Sequence, residues 1–404
     1  MLAPQRPASR PNSINLVSFL LSHRFAPAAL ISLFLITSLN VAEAQLKLPS
    51  PSLRLPSFLQ NSRDLEETAQ APFCPGGLAI LPNGDYVISC HQFQGISPYR
   101  VMRLGKEGWE PYPNAEMNSP MGTANGVSLD SVLGLALQGN ILWMVDNGRS
   151  GETPPKLVGW DVKEDRLHRV IDLYRAALRT SHFQYIATDP NEDFVYLTDP
   201  ASGPDAALVV VNTETLGMRR VLQGNYSVVP EAGIETTVNG APVGARRADG
   251  TLVPLMGGAS PIAIGPKGKW VYFGPKDAKQ LYRVDTEFLR DARVQLGFNN
   301  IQTYCAKPVC DSIAVDSKNI IYFGNIAENA ITFMNLGDSG YLENLVEDSR
   351  LVWPGGLLIG PDERLHLFSN QLHRTKIFQG DKDVTEAPFS IFKIKPVSTG
   401  MFGR

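Results

Sequence analysis

The chain is short of charge. Only 19% of its 404 residues are Asp, Glu, Lys or Arg, and 37 basic against 40 acidic side chains leave a net charge of −3. No long basic run occurs, so the electrostatic footprint of a nucleic-acid binder is missing. Histidine is scarce as well: there are six, and none forms an HExxH pair, which removes the commonest zinc-hydrolase arrangement. No Gly-x-Ser-x-Gly elbow occurs, so the α/β-hydrolase nucleophile is absent. The stretch GPKGK at 265–269 lacks the spacing of a phosphate-binding loop and reads as a hairpin turn. The long apolar run that a membrane span needs, about 20 residues, is also missing.

What is present is apolar and turn-rich. Hydrophobic residues make up 43% of the chain, with 35 Gly and 30 Pro. That is enough material for a sizeable core and many tight turns. Residues 1–26 carry Arg6, Arg10, His23 and Arg24 but no acid, and PAALISLFLITSLNV and AEAQ follow. A basic leader, an apolar segment and an A-x-A site describe a secretory signal. Residues 1–44 are therefore expected to be a signal peptide cleaved after Ala44, an uncleaved anchor being the alternative. The mature chain would then have no membrane span and be exported, secreted or periplasmic. Residues 45–71, rich in Pro and Ser, read as an extended linker, and 72–404 as the folded domain. The four cysteines all follow the leader, and an even count in an exported chain favours disulfides. Of three pairings, the two local ones are preferred: Cys74 with Cys90, and Cys305 with Cys310.

One outline recurs six times: LAILPNGDYVISC (78–90), LGLALQGNILWMVD (133–146), IATDPNEDFVYLTD (186–199), IAIGPKGKWVYFG (262–274), IAVDSKNIIYFGN (313–325) and LLIGPDERLHLFSN (357–370). Each is a short apolar strand, a polar turn, and a second strand rich in aromatic and β-branched residues, which is the pattern of a hairpin. Further strand-like sequence follows most copies, such as KQLYRVDT and NAITFMN. Repeats of this size with about four strands each indicate a β-propeller. The expectation is all-β: six blades, each a four-stranded antiparallel sheet, around a central channel. An antiparallel sandwich is the competing fold. Between the third and fourth copies, GIETTVNGAPVGARRADGTLVPL interrupts the rhythm and reads as an extra hairpin projecting from one face.

Several segments resemble the yellow and major royal jelly protein family. They are LWMVDNGRSGETPPKLVGWDVKEDRLHRVIDL (142–173), FVYLTDPASGPDAALVVVNTET, SPIAIGPKGKWVYFGPKDAKQLYRVDTEFLRD and VWPGGLLIGPDERLHLFSNQLHR. The resemblance covers roughly residues 72–375 and implies a six-bladed propeller, a secreted protein and a small ligand in the central channel. Some members of the family are linked to melanin-pathway chemistry. The wider fold resembles lactonases that hold a divalent metal on the axis. Where the family usually has Asp-Gly at inner-strand starts, this chain has Ser260-Pro261, Asp311-Ser312 and Gly355-Gly356, so only one carboxylate is kept.

A propeller points two sets of side chains at one mouth of its channel. One set starts the inner strands: Ser131, Gln184, Ser260 and Asp311. The other follows the second strands: His91, Asp146, Asn147, Asp199, Asn325 and Asn370. Asp and Asn oxygens suit a hard cation such as Ca²⁺, and equally the amines or hydroxyls of an organic ligand; as turn residues they also cap their own backbone. Asp311, Asn325 and Asn370 lead both as ligand contacts and as candidate metal ligands, because the resemblance places family contacts in the last blades. Asp146 and Asp199 are further ligand candidates that also suit loop-holding. The recurrent aromatics read as core between blades, with Phe323, beside Asn325, the candidate for stacking on a ligand. The expected function is binding of a small amine or aromatic molecule. The alternatives are a metal-dependent lactonase or esterase, a catechol-type tautomerase, and a protein-interaction propeller. Asn225-Tyr226-Ser227 fits a glycosylation acceptor.

Overall fold

The computed structural model describes residues 62–398 apart from 96, 120–126, 150–151, 202, 248, 335–340 and 381. The expected leader and most of the expected linker lie outside the described residues. The architecture is a six-bladed propeller. Its blades are six four-stranded antiparallel sheets, each with three consecutive pairings. Blade 1 holds Pro75–Ile80, Tyr86–Cys90, Val101–Gly105 and Gly108–Pro111; blade 2 holds Val132–Gln138, Ile141–Asp146, Lys156–Asp161 and Arg166–Asp172. Blade 3 is Ile186–Thr188, Phe194–Asp199, Ala207–Asn212 and Met218–Val221; blade 4 is Ala259–Ile264, Trp270–Pro275, Gln280–Asp285 and Ile301–Ala306. Blade 5 is Ile313–Val315, Ile321–Asn325, Ala330–Met334 and Leu342–Glu347. The six repeats seen in the sequence are the two inner strands of these six sheets.

Blade 6 closes the ring and corrects one boundary. Its three inner strands are Pro354–Ile359, Leu365–Ser369 and Phe389–Ile394, but its outer strand is Glu66–Ala71. That segment, read as linker, pairs antiparallel with the last strand from Glu66↔Lys393 to Ala71↔Phe389. Its composition, EETAQA, carries little β signal because it sits on the rim, largely exposed until Ala71. Pairing it with the last strand joins the two ends of the domain and covers an edge.

Burial follows position in the blade. The inner strand Pro75–Ile80 is buried along its length, whereas the outer strand Met218–Val221 is only partly covered. Six apolar clusters occupy the six seams between blades. Between blades 1 and 2, for example, Ala79, Val87 and Val101 pack with Val132, Leu142, Met144 and Val158. The aromatic recurrence in the second strands belongs to these seams. Tyr196 and Tyr322 are buried among aliphatics, and each hydroxyl donates to the Asp of its own hairpin turn, Asp189 at 2.8 Å and Asp316 at 2.9 Å. A buried ring thus keeps its polar end satisfied.

The inner strands approach the axis so closely that the channel is narrow. A Cβ on Gly77 would lie 2.2 Å from the Leu133 carbonyl oxygen. The channel between Gly77–Ile80, Leu135–Leu137, Ile186–Thr188 and Ile262–Ile264 encloses only about 70 Å³ and is lined mainly by aliphatic side chains. Polar groups gather at one mouth instead.

The four cysteines are thiols in this structure, not the two expected bridges. Cys74 and Cys90 behave as small hydrophobes in the seam between blades 6 and 1, and Cys74 Sγ donates to the Asn370 carbonyl at 3.2 Å. Burial pushes the Cys90 and Cys310 thiols up to about 11, so they carry little thiolate at neutral pH. Among the described residues, no helix is long and apolar enough to cross a membrane.

The ring-closing pairing yields a first prediction. A chain starting at residue 62 is expected to melt with the full-length protein. One starting at residue 72 should melt about 3 °C lower or more, the shift that ~2 kcal/mol produces in a domain of this size. Scanning calorimetry of the two truncations checks it.

Candidate functional site

The polar mouth opens into a cavity of about 500 Å³. It is built where inner strands begin and second strands end. Blade 1 supplies His91 and Phe93, and the lead into blade 3 supplies His182 and Gln184. Ser260 and Lys276 come from blade 4, Asp311 from the start of blade 5, and Trp353, Leu372 and Phe378 from around blade 6. The insertion between blades 3 and 4 forms two short hairpins, 237–242 and 244–254, rather than the one expected. Its end, Pro254–Gly257, makes part of the cavity rim.

Asp311 is the acidic group of this lining and is almost fully buried. Ser260 Oγ donates to its Oδ1 at 3.2 Å, and Trp353 Nε1 donates to its Oδ2 at 2.5 Å. Burial raises the carboxyl pKa, while the Lys276 ammonium and the Trp353 N–H pull it back down. Trp353 stands at φ +59°. A bulky side chain in the left-handed region costs on the order of 1–3 kcal/mol, offset here by the indole bond to Asp311. Its ring stacks on His373 at 5.9 Å and is tilted against Phe378 at 5.9 Å.

Lys276 does not neutralise Asp311. Its ammonium donates to both oxygens of Asp277 at 2.8 Å and to Thr236 Oγ1, and stands 5.8 Å from the Trp353 ring centroid. The two histidines add no charge. Burial takes the His91 pKa down to about 3, and its Nδ1 accepts the Phe93 N–H at 3.2 Å. His182, stacked on Phe93 at 5.5 Å, is lowered by desolvation too. Lys276 is thus paired with Asp277 while still acting on Asp311, and the cavity sets one carboxyl, Asp311, and one ammonium, Lys276, between neutral aromatic and aliphatic walls. A second cavity, of about 560 Å³, shares His182 and is lined by Asn147, Arg149 and Arg179.

The sequence profile of the major royal jelly proteins matches residues 135–399. The chain belongs to the major royal jelly protein family. Major royal jelly protein 9 of Apis mellifera is 23% identical over 242 residues, 56% of this chain and 53% of that protein. The chain thus spans about half the length of the curated relative it matches. Among solved structures, a luciferin-regenerating enzyme superposes with a TM-score of 0.53 at 9% identity, over 84% of this chain and 97% of that one. A Bacteroides thetaiotaomicron protein of unknown function gives 0.50 at 10% identity, over 83% of this chain and 74% of that one. At such identities the likeness is one of fold alone.

In this member of the family, the expected site residues part company. His91, Gln184, Ser260 and Asp311 meet in the cavity. Asp146 and Asp199 do not line it. Asp146 accepts the N–H groups of Asp130, Ser131 and Gly148 at 2.7–2.9 Å and pairs with Lys156 at 2.8 Å. Asp199 accepts from His182 N at 2.8 Å and pairs with Arg220 at 2.6 Å. Both pin the loops that follow their strands. Asn325 donates to Glu328 and Thr332 at 3.0 and 3.1 Å, away from the cavity lining. Asn370 bridges the Pro75 carbonyl and the Leu372 N–H. Phe323 is fully buried in the seam between blades 4 and 5, with Tyr272 and Met334, so it faces no ligand.

A divalent cation does not fit this donor set. Asn325 and Asn370 are engaged away from the cavity that Asp311 lines, which leaves a single carboxylate there, and the nearby charge is the Lys276 ammonium. Among the described residues, no group of three or more His, Cys, Asp or Glu could hold a metal. The sequence reading missed Lys276, Trp353 and Phe93 as cavity residues. Lys276 occupies the slot directly after the second strand, the one that Asn147 and Pro200 hold in blades 2 and 3, so the repeat itself held the signal. Trp353 and Phe93 sit in irregular segments, and no strand periodicity points to them.

Two predictions follow from this chemistry. Asp199→Ala leaves Arg220 nearly buried without its partner and should cost ~3–5 kcal/mol in urea unfolding. His91 stays neutral down to about pH 3 when folded, but takes its proton near 6.5 when unfolded. The unfolded chain therefore binds more protons between those values, and stability falls as pH drops from 6.5, by up to about 1.4 kcal/mol per unit. His91→Gln should flatten that part of a pH series of melting temperatures.

Proposed function

We propose that this protein is exported, with its leader removed after Ala44, and binds a small aromatic amine in the cavity at the channel mouth. The observation that carries the reading is the buried carboxyl of Asp311, bonded to Ser260 and Trp353 and in no ion pair among the described residues, set among Trp353, Phe93 and Phe378 in a cavity of about 500 Å³. That volume lies within the range of small-molecule sites. An ammonium would bond to Asp311, and an attached ring would lie against the aromatic walls. Trp353 accepts such a neighbour because its ring already faces a cation, Lys276.

Metal-assisted hydrolysis of a lactone or ester requires a cation that the donor set does not fit. A catechol-type tautomerase is the second reading, favoured by the raised Asp311 carboxyl, since a proton-transfer step needs a buried group shifted toward neutrality. Appearance of an isomer in NMR spectra of a catechol-derived ligand incubated with the protein would decide for it.

Titration calorimetry with tyramine tests the binder. Tyramine should bind at least about ten-fold more tightly than 4-ethylphenol, which lacks the amine, and Asp311→Asn should erase that advantage. Asn325→Ala and Asn370→Ala should leave it if they fold. Affinity should fall on acidification, because a raised carboxyl takes its proton at higher pH than an ordinary one and then no longer holds the ammonium. Equal affinity for the two probes would overturn the reading.

A further inference from the structure

The sequence has a single Asn-x-Ser/Thr triplet, Asn225-Tyr226-Ser227, and the binding site makes no use of it. The triplet lies in the turn after Met218–Val221, the outer strand of blade 3. Asn225 is held there from both sides. Its backbone N–H donates to the Leu222 carbonyl at 2.9 Å, and its own carbonyl accepts from Val228 and Val229 at 3.0 and 3.1 Å. Its side-chain oxygen accepts the Ser227 N–H at 3.0 Å and the Ser227 hydroxyl at 2.9 Å. With the oxygen so engaged, the carboxamide nitrogen Nδ2 turns to the other side, and no acceptor among the described residues takes it.

A second observation comes from a different part of the chain. Phe298, in the short turn that precedes the outer strand of blade 4, is 75% exposed, and Tyr226 is 41% exposed. Their ring centroids are 5.8 Å apart, and Tyr226 is propped edge-on against Tyr282 at 5.4 Å. Two large rings are thus left in water beside the one acceptor triplet, fixed by packing beneath them. The two rings form a small apolar shelf against which another apolar face can pack.

We propose that Asn225 carries an N-linked glycan and that the Tyr226–Phe298 shelf packs against its first sugar. The proposal rests on the reading that the chain is exported. The donor is a lipid-diphosphate-linked oligosaccharide. The Asn225 nitrogen attacks the anomeric carbon, a C–N bond forms, and the sugar–phosphate C–O bond breaks. The lipid diphosphate leaves with the electron pair, and the amide nitrogen gives up one proton. The Ser227 hydroxyl, bonded to the amide oxygen, orients the nitrogen outward. The apolar C–H face of an N-acetylhexosamine then covers ring surface that the fold leaves bare.

The test uses the full chain expressed in yeast or insect cells, with peptide-N-glycosidase treatment read by mass spectrometry. One core glycan is expected on Asn225. Asn225→Asp, which keeps the oxygen that Ser227 bonds and removes the nitrogen, should lose it. Asp249→Asn supplies an internal control. Asp249 sits on an exposed hairpin tip, its carboxylate already accepting the Thr251 N–H at 2.9 Å, so the substitution creates a second acceptor in the same local geometry. Occupancy at that control with Asn225 bare overturns the proposal. Occupancy at neither shows that the chain does not enter the secretory route, and the proposal falls with the export reading. Removing the glycan should lower the melting temperature by roughly 2 °C, and Tyr226→Ala with Phe298→Ala should abolish that shift while keeping the sugar. No shift on removal from the unsubstituted protein overturns the shelf.

Discussion

A sheet with apolar side chains on both faces cannot stop at one neighbour. Every blade here has that character: inner and middle strands such as Pro75–Ile80 and Ala330–Met334 are buried along their whole length. Burying a Leu, Phe or Met side chain contributes roughly 1.5–3 kcal/mol, and each seam gathers nine or more buried residues. The first blade then needs the last, and the ring must close. Glu66–Ala71 performs that closure by hydrogen bonding to Phe389–Ile394. The narrow apolar axis and the cavity at its mouth depend on it.

Closure also decides which polar residues are free to act. Blades that meet at an axis leave their strand ends crowded, and the chain must turn there. Asp146, Asp199 and Asp277 each end a second strand or follow it by two residues, and each accepts backbone N–H groups and a cation from Lys156, Arg220 or Lys276. Buried charges of this kind hold shape while adding little net stability. Asp311 differs because its direct partners are an indole N–H and a hydroxyl rather than a cation, and it lines the cavity. The distinction between a structural carboxylate and a binding one lies in what each faces, not in the residue type.

The fold was legible because its physics is periodic. Alternating apolar strands around polar turns recur six times, and seam packing demands that pattern of each blade. The strand Glu66–Ala71 escaped notice because an edge strand half in water needs no apolar alternation. Of the candidate site, His91, Gln184, Ser260 and Asp311 could be read from their repeat positions, and they do meet. Asn325, Asn370 and Phe323 hold equally regular positions, yet their side chains satisfy the backbone or fill a seam.

The sequence alone determined the all-β class, the number of blades and which ends of the strands face one mouth. These follow from composition and from period, which belong to the chain before it folds. Tertiary structure decided the rest. It brought Trp353 from blade 6 onto Asp311 of blade 5, tied Lys276 to Asp277, and drew the N-terminal strand onto the last blade. Such pairings join residues up to hundreds of positions apart, and only the closing of the ring sets the distances between them.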